Sequence, residues 1–102
     1  MSPGKVPTEL ARLRERIRRL DERLVALLVE RARLVQEVGR FKARAGLPVR
    51  DAAQERAILS RQQRSPHAPL SEEAMRRLYE ELFKESRRLE REAMREVGSK
   101  GA

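Results

Sequence analysis

The stretch ALLVERARLVQEVGRFK, residues 26–42, decides the fold. It lies in a longer run where apolar residues recur every three or four positions, as on the buried face of an α-helix. Ten of the eleven stripe positions are apolar, and the stripe consists of Leu10, Leu13, Ile17, Leu20, Leu24, Leu27, Arg31, Leu34, Val38, Phe41 and Ala45. The exception is Arg31. A buried, unpaired guanidinium is costly, so a carboxylate of the protein or an anionic ligand must neutralise it.

Capping signals and the absence of strand patterns predict an all-α protein with one long, one short and one medium helix. The long helix should span about 9–44 and end at the turn sequence AGLP. Asp51 and Gln54 have the spacing of a capping box at the start of the short helix. Ser71 is a suitable N-cap for the third helix. Its predicted apolar stripe comprises Met75, Leu78, Leu82, Leu89 and Ala93.

Composition limits the possible partners. The chain has 102 residues, with 24 Lys and Arg against 16 Asp and Glu, and its net charge of +8 favours anionic partners. We expect one small domain over 8–96 between flexible tails at 1–7 and 97–102. No segment has the length and apolarity of a membrane span or the pattern of a signal peptide, and there is no cysteine, so a cytoplasmic location is expected. The single histidine has no second ligand near it, and no metal site is predicted.

The long helix predicts a dimer. At about 54 Å it has more apolar stripe than the short second helix and the third can cover. An antiparallel pairing of two copies is the simplest closed solution, so we expect an intertwined helical homodimer. Arg31 and Lys42 lie within about 20° of each other around the helix. If two copies cross near residue 26, the partner subunit's Arg14 falls between them, which brings three cations from two chains together.

Polar side chains on the other helices complete a candidate pocket. Ser86 and Glu90 share one face of the third helix, and the second helix offers Asp51 and Glu55 near its start. Three cations, a hydroxyl and two or three carboxyl groups would suit a small dicarboxylate that also carries a hydroxyl.

Three segments in this order resemble the all-helical (AroQ-class) chorismate mutases. They are LRERIRRLDERLVALLVERARLVQEVGRFK, PVRDAAQER and LFKESRRLE, and the resemblance covers roughly residues 10–93. Members of that family form an intertwined helical dimer. They convert chorismate to prephenate without a cofactor, on the route to phenylalanine and tyrosine.

The resemblance implies a role for each matching residue. Arg31 and the partner subunit's Arg14 would bind the two carboxylates of chorismate. Lys42 would bind the enolpyruvyl carboxylate and the ether oxygen. Glu55, with the backbone amide of Asp51, would receive the ring hydroxyl.

The remaining matches lie on the second and third helices. Ser86 would help hold the ring carboxylate, and Glu90 would meet the ether oxygen. Position 90 is often Gln in the family, so Glu90 should make activity depend on pH, because only its protonated form donates a hydrogen bond. Position 54 is often Arg; we expect Gln54 to cap the second helix first and to contact the substrate second.

Three alternatives remain open at this stage. An isochorismate–pyruvate lyase shares this fold, but the lyase has an apolar residue where this chain has Glu55. A basic helical module, for example one that binds nucleic acid, would explain the net charge of +8, but acids are interleaved with the cations and aromatics are few. We therefore predict no nucleic-acid and no membrane partner. Fusion to, or association with, another enzyme of aromatic biosynthesis is a further possibility.

Overall fold

The computed structural model describes residues 8–101, and all regular secondary structure within that range is helical. Helix α1 spans Thr8–Ala45, α2 spans Ala52–Arg64 and α3 spans Glu72–Gly101. The predicted fold class and the long, short and medium helices are confirmed. The tail predicted over 1–7 lies outside the described residues.

The capping predictions for all three helices can be compared with the structure. Helix α1 ends at a left-handed Gly46, φ 69°, and the amide of Leu47 donates to the carbonyl of Lys42 at 2.9 Å. This is the bond pattern of a glycine-terminated helix, as the AGLP sequence predicts. Asp51 Oδ1 accepts from the amide of Gln54 at 3.0 Å, which confirms the predicted cap of α2. The predicted N-cap of α3 is confirmed too: Ser71 Oγ accepts from the amide of Ala74, also at 3.0 Å.

The end of α3 differs from the prediction. Residues 97–101 continue the helix, whereas the sequence predicted a frayed tail from Val97 onward. Gly98 weakens a helix by only about 1 kcal/mol. No proline follows it to stop the helix.

The chain divides into two compact units, one ending at Arg31 and the other beginning at Ala32. In the first unit the apolar stripe faces solvent, with exposed fractions from 39% at Leu10 to 61% at Leu27. An isolated chain therefore leaves this stripe uncovered.

In the second unit the last part of α1 and α2 both pack on α3. The buried face of α3 consists of Phe83, Ser86, Glu90 and Ala93. Leu78, which belongs to the predicted stripe of α3, is instead 54% exposed. The buried face is thus rotated towards Ser86 and Glu90, so two polar residues occupy core positions.

Gly39 explains why that face is buried. It is the only buried residue of α1 within the described range. A Cβ placed on it would lie 2.8 Å from the carbonyl oxygen and 2.9 Å from the Cα of Glu90. The two helix backbones therefore touch at Gly39.

Candidate active site

The centre of the candidate site is a pair formed by α1 and α3. Lys42 Nζ lies 2.6 Å from Glu90 Oε1, and the two side chains are only 16% and 10% exposed. Lys42 Nζ also donates to the carbonyl oxygen of Val49 at 2.8 Å. The ammonium group is thereby fixed between α3 and the segment that leads into α2.

Glu90 Oε1 is buried without a hydrogen-bond partner among the described residues, although Lys42 is close to it. We treat the contact as a charge pair, because the distance is short while the angles are not those of a hydrogen bond. An ammonium group has three donors, and Val49 takes one of them. The pair therefore combines a cation that retains donor capacity with a buried carboxyl oxygen that has no hydrogen-bond partner within the described residues.

A second buried ion pair links α2 and α3. Arg87 Nη1 donates to both oxygens of Glu55, at 2.7 and 2.6 Å. The Arg87 and Glu55 side chains are 18% and 19% exposed. Sequence reasoning identified Glu55 but missed Arg87. No local spacing signals this contact, because the two residues are 32 positions apart.

Two other predicted site residues, Ser86 and Asp51, form hydrogen bonds within or at the start of their own helix. Ser86 is buried one turn before Glu90, and its hydroxyl donates to the carbonyl of Leu82 at 2.7 Å. Asp51 caps α2, and Gln54 is exposed beside it. The second unit thus brings Lys42 to Glu90 and sets Ser86 on the same face of α3.

Arg14 and Arg31 belong to the first unit. Arg14 is exposed and Arg31 is partly buried there. The predicted contribution of Arg14 in trans concerns a second chain and stays a prediction.

A groove of about 280 Å³ opens between α2 and α3 beside the Glu55–Arg87 pair. Four cations and two acids line it together with apolar side chains; the lining residues are Arg50, Ala52, Glu55, Arg56, Leu59, Glu80, Phe83, Lys84 and Arg87. Lys42 and Glu90 do not line this groove. The Glu55–Arg87 pair, by contrast, lines the groove.

The described residues show neither a metal site nor a membrane-spanning helix. Within residues 8–101, no group of three or more His, Asp or Glu side chains is placed to hold a metal ion. No helix in the same range has the length and apolarity needed to cross a bilayer.

The family model for chorismate mutase type II matches residues 13–91. The chain belongs to the type II chorismate mutase family. The matched range includes all eight predicted site residues, from Arg14 to Glu90.

Curated members of this family are similar to parts of the chain. A bifunctional chorismate mutase/prephenate dehydratase of Escherichia coli K12 is 52% identical over 52 residues, which is 51% of this chain and 14% of that protein. The protein of the same name in Aquifex aeolicus is 42% identical over 53 residues, or 52% of this chain and 15% of the relative. The T-protein of Enterobacter agglomerans is 35% identical over 80 residues, covering 74% of this chain and 21% of the relative. The chain thus spans about a fifth or less of these relatives. No solved structure gives a significant match.

Proposed function

We propose that this type II chorismate mutase family member catalyses the rearrangement of chorismate to prephenate. The observation that carries the proposal is the buried pair of Lys42 and Glu90, with Nζ and Oε1 2.6 Å apart. We infer from the family resemblance that the ether oxygen of chorismate would lie against these two side chains. Both are fixed by contacts within the second unit.

The chemistry requires no nucleophile and no base. In chorismate the C–O bond of the enolpyruvyl ether breaks while a new C–C bond forms, and no proton or electron enters or leaves. An enzyme can accelerate such a reaction by holding the flexible substrate in its compact conformation. It can also stabilise negative charge that develops on the ether oxygen, which is the proposed role of Lys42 and Glu90.

The protonation of Glu90 matters for that role. An ionised carboxylate would repel the charge that develops on the ether oxygen, whereas a protonated carboxyl donates a hydrogen bond to it. Without substrate, the ammonium of Lys42 neutralises Glu90. When the substrate dianion binds, its enolpyruvyl carboxylate would compete with Glu90 for Lys42.

The other predicted residues would bind and orient the substrate. Arg31 and the partner subunit's Arg14 would pair with the two carboxylates, with two hydrogen bonds each where geometry allows. Ser86 would assist at the ring carboxylate. Glu55 and the Asp51 amide would receive the ring hydroxyl, and Gln54 would contact the substrate beside them.

A homodimer with shared sites is part of the proposal. Its support is the uncovered stripe of α1, because Leu13, Ile17 and Leu20 are 46–57% exposed in the first unit. In the second unit, Leu34 and Phe41 are 58% and 63% exposed. Contiguous exposed apolar surface of this kind marks an interaction site, and an antiparallel copy of the same stripe complements it.

Two observations favour the mutase over the alternatives. Glu55 is held as a charged, mostly buried group, which suits a hydroxyl acceptor and not the apolar wall of the lyase. Several exposed arginines within residues 8–101 are paired with acids one turn away, which interleaves the two signs of charge and disfavours a nucleic-acid module. These are Arg18 with Glu15 and Glu22, Arg76 with Glu73 and Glu80, and Arg88 with Glu85 and Glu92. The hydrogen bond from Arg18 lowers the pKa of Glu15, and that from Arg76 lowers the pKa of Glu73.

The names of the longer relatives suggest a partner enzyme for this chain. Because those of E. coli and Aquifex are named as bifunctional, we keep a fused or associated aromatic-pathway enzyme as a proposed partner. A cytoplasmic location is likewise a proposal.

The test is an assay of the purified chain with chorismate, following chorismate loss and prephenate formation. Lys42→Met should lose about a hundredfold or more in kcat/KM, while Arg88→Met, which removes an exposed arginine paired with Glu85, should stay near wild type. Release of pyruvate from isochorismate, without prephenate formation from chorismate, would indicate the lyase. Strong salt-dependent retention on DNA with no turnover of chorismate would indicate the binding module.

A further inference from the structure

The structure assigns Arg87 a positioning role: it holds the carboxylate of Glu55 in place to receive the ring hydroxyl of the substrate. This inference rests on the proposed function. It gives a role to a residue that lies in the segment LFKESRRLE but to which the family resemblance assigns none.

The geometry of the pair supports this role. A single nitrogen, Arg87 Nη1, lies 2.7 Å from one oxygen of Glu55 and 2.6 Å from the other. A donor that straddles both oxygens occupies the inner side of the carboxylate and keeps the group directed at Arg87. An ionised carboxylate has about four acceptor positions, so the outer lone pairs remain able to accept from a hydroxyl.

Burial strengthens the attraction between Arg87 and Glu55. Both side chains are less than a fifth exposed, so water screens their attraction less than that of a surface pair. The exposed pairs on α3 connect residues three or four positions apart on one helix, as Arg88 does with Glu85 and Glu92. Arg87 instead connects α3 to the first turn of α2. The orientation of Glu55 therefore depends on a contact between two helices.

Charge also favours this assignment. Glu55 is paired with Arg87 as a carboxylate, which is a stronger acceptor than a neutral carboxyl, yet the substrate is itself a dianion. A carboxylate facing a dianion needs a nearby cation, and Arg87 supplies it from the side of the groove. Without Arg87, Glu55 would be repelled by the substrate or would lose its fixed orientation.

The experiment compares two substrates. Arg87→Met should lower kcat/KM for chorismate by about tenfold or more, because misplaced polar groups cost about that much. For a chorismate analogue that lacks the ring hydroxyl, the same substitution should change kcat/KM less than about threefold. Arg87→Lys should recover part of the loss, since it restores a charged donor on a side chain of different length and shape.

Two controls separate positioning from stability. Arg88→Met removes the neighbouring, exposed arginine and should leave both substrates unaffected. In a Glu55→Gln background, Arg87→Met should add little to the loss on chorismate, because the two residues act as one unit. Thermal unfolding of each variant shows whether it is folded at the assay temperature.

Equal losses on both substrates, or additive losses in the double variant, would overturn the positioning role while the proposed activity stands. A wild-type chain that does not convert chorismate would refute the proposed function, and the role of Arg87 with it.

Discussion

Replacing Gly39 by Ala should disturb the site through the backbone, and the structure gives the size of the effect. The added Cβ would lie 2.8 Å from the carbonyl oxygen of Glu90, where ordinary contact begins at 3.4 Å. The opposing atoms are backbone, so α1 and α3 must separate by about 0.6 Å at this point. Overpacking of this kind costs about 1–3 kcal/mol.

A matched control isolates that cost. Ala is favoured over Gly in a helix by about 1 kcal/mol, and Gly39→Ala gains this as well. Gly98→Ala in α3 meets no atom within 4 Å, so it should gain helix propensity without a clash. The free energies of unfolding of the two variants should therefore differ by about 1–3 kcal/mol, with Gly39→Ala the less stable. For a domain of this size the difference corresponds to roughly 4–8 °C per kcal/mol in Tm.

Activity should respond as well, because Lys42 follows Gly39 by less than one helical turn and pairs with Glu90. A separation of the helices at Gly39 shifts these two groups relative to each other. We expect kcat/KM of Gly39→Ala to fall about tenfold at a temperature where the variant is folded. Thermal melts at one fixed protein concentration and steady-state kinetics on chorismate provide the two measurements.

A second substitution identifies the atoms responsible. The Cβ of Ala93 is the third close neighbour, at 3.1 Å, and Ala93→Gly would remove it. Because the closest contacts are with backbone, Ala93→Gly should not rescue Gly39→Ala. If Gly39→Ala were as stable as Gly98→Ala and as active as wild type, the packing argument would be refuted.

Three further predictions follow from the proposed site. Glu90→Gln supplies a hydrogen-bond donor at every pH, so this variant should retain substantial activity near neutrality and lose less kcat/KM than wild type on the alkaline side of the pH profile. Coincident wild-type and variant profiles from about pH 5 to pH 9 would show that Glu90 is not the titrating group. Mixing inactive Arg14→Ala chains with inactive Arg31→Ala chains should restore activity, because one pocket of the mixed dimer receives both arginines; no recovery despite proven heterodimers would place the site within one chain. Sedimentation at micromolar concentration should show a dimer, and a folded, active monomer would contradict the argument from the exposed stripe of α1.

The helices could be predicted because their signals are local. Asp51 and Ser71 cap from fixed positions, and Gly46 allows the left-handed turn that ends α1. A three-four repeat of apolar residues likewise depends only on the neighbouring turns of one helix. These features require no knowledge of what each helix packs against.

The contacts between helices could not be predicted in the same way. Glu55 and Arg87 are 32 residues apart, and no periodicity connects a residue of α2 with one of α3. Arg87 looks like one more cation on a helix rich in charges until the packing of α2 against α3 is known. The buried face of α3 was misjudged for a related reason, since hydrophobicity favours Leu78 over Ser86.

Gly39 connects the fold with the chemistry. Because it lacks a side chain, the backbone of α3 reaches α1 at Glu90 and not at one of the leucines of the predicted stripe. That contact buries Ser86 and Glu90 together with Phe83 and Ala93. Lys42, less than one turn further along α1, then meets the carboxyl group of Glu90. A larger residue at position 39 would favour an apolar contact between the helices, and the buried lysine would lose its acidic partner. The glycine that interrupts a strong helical pattern is therefore the residue that allows two charged groups to face each other in the core.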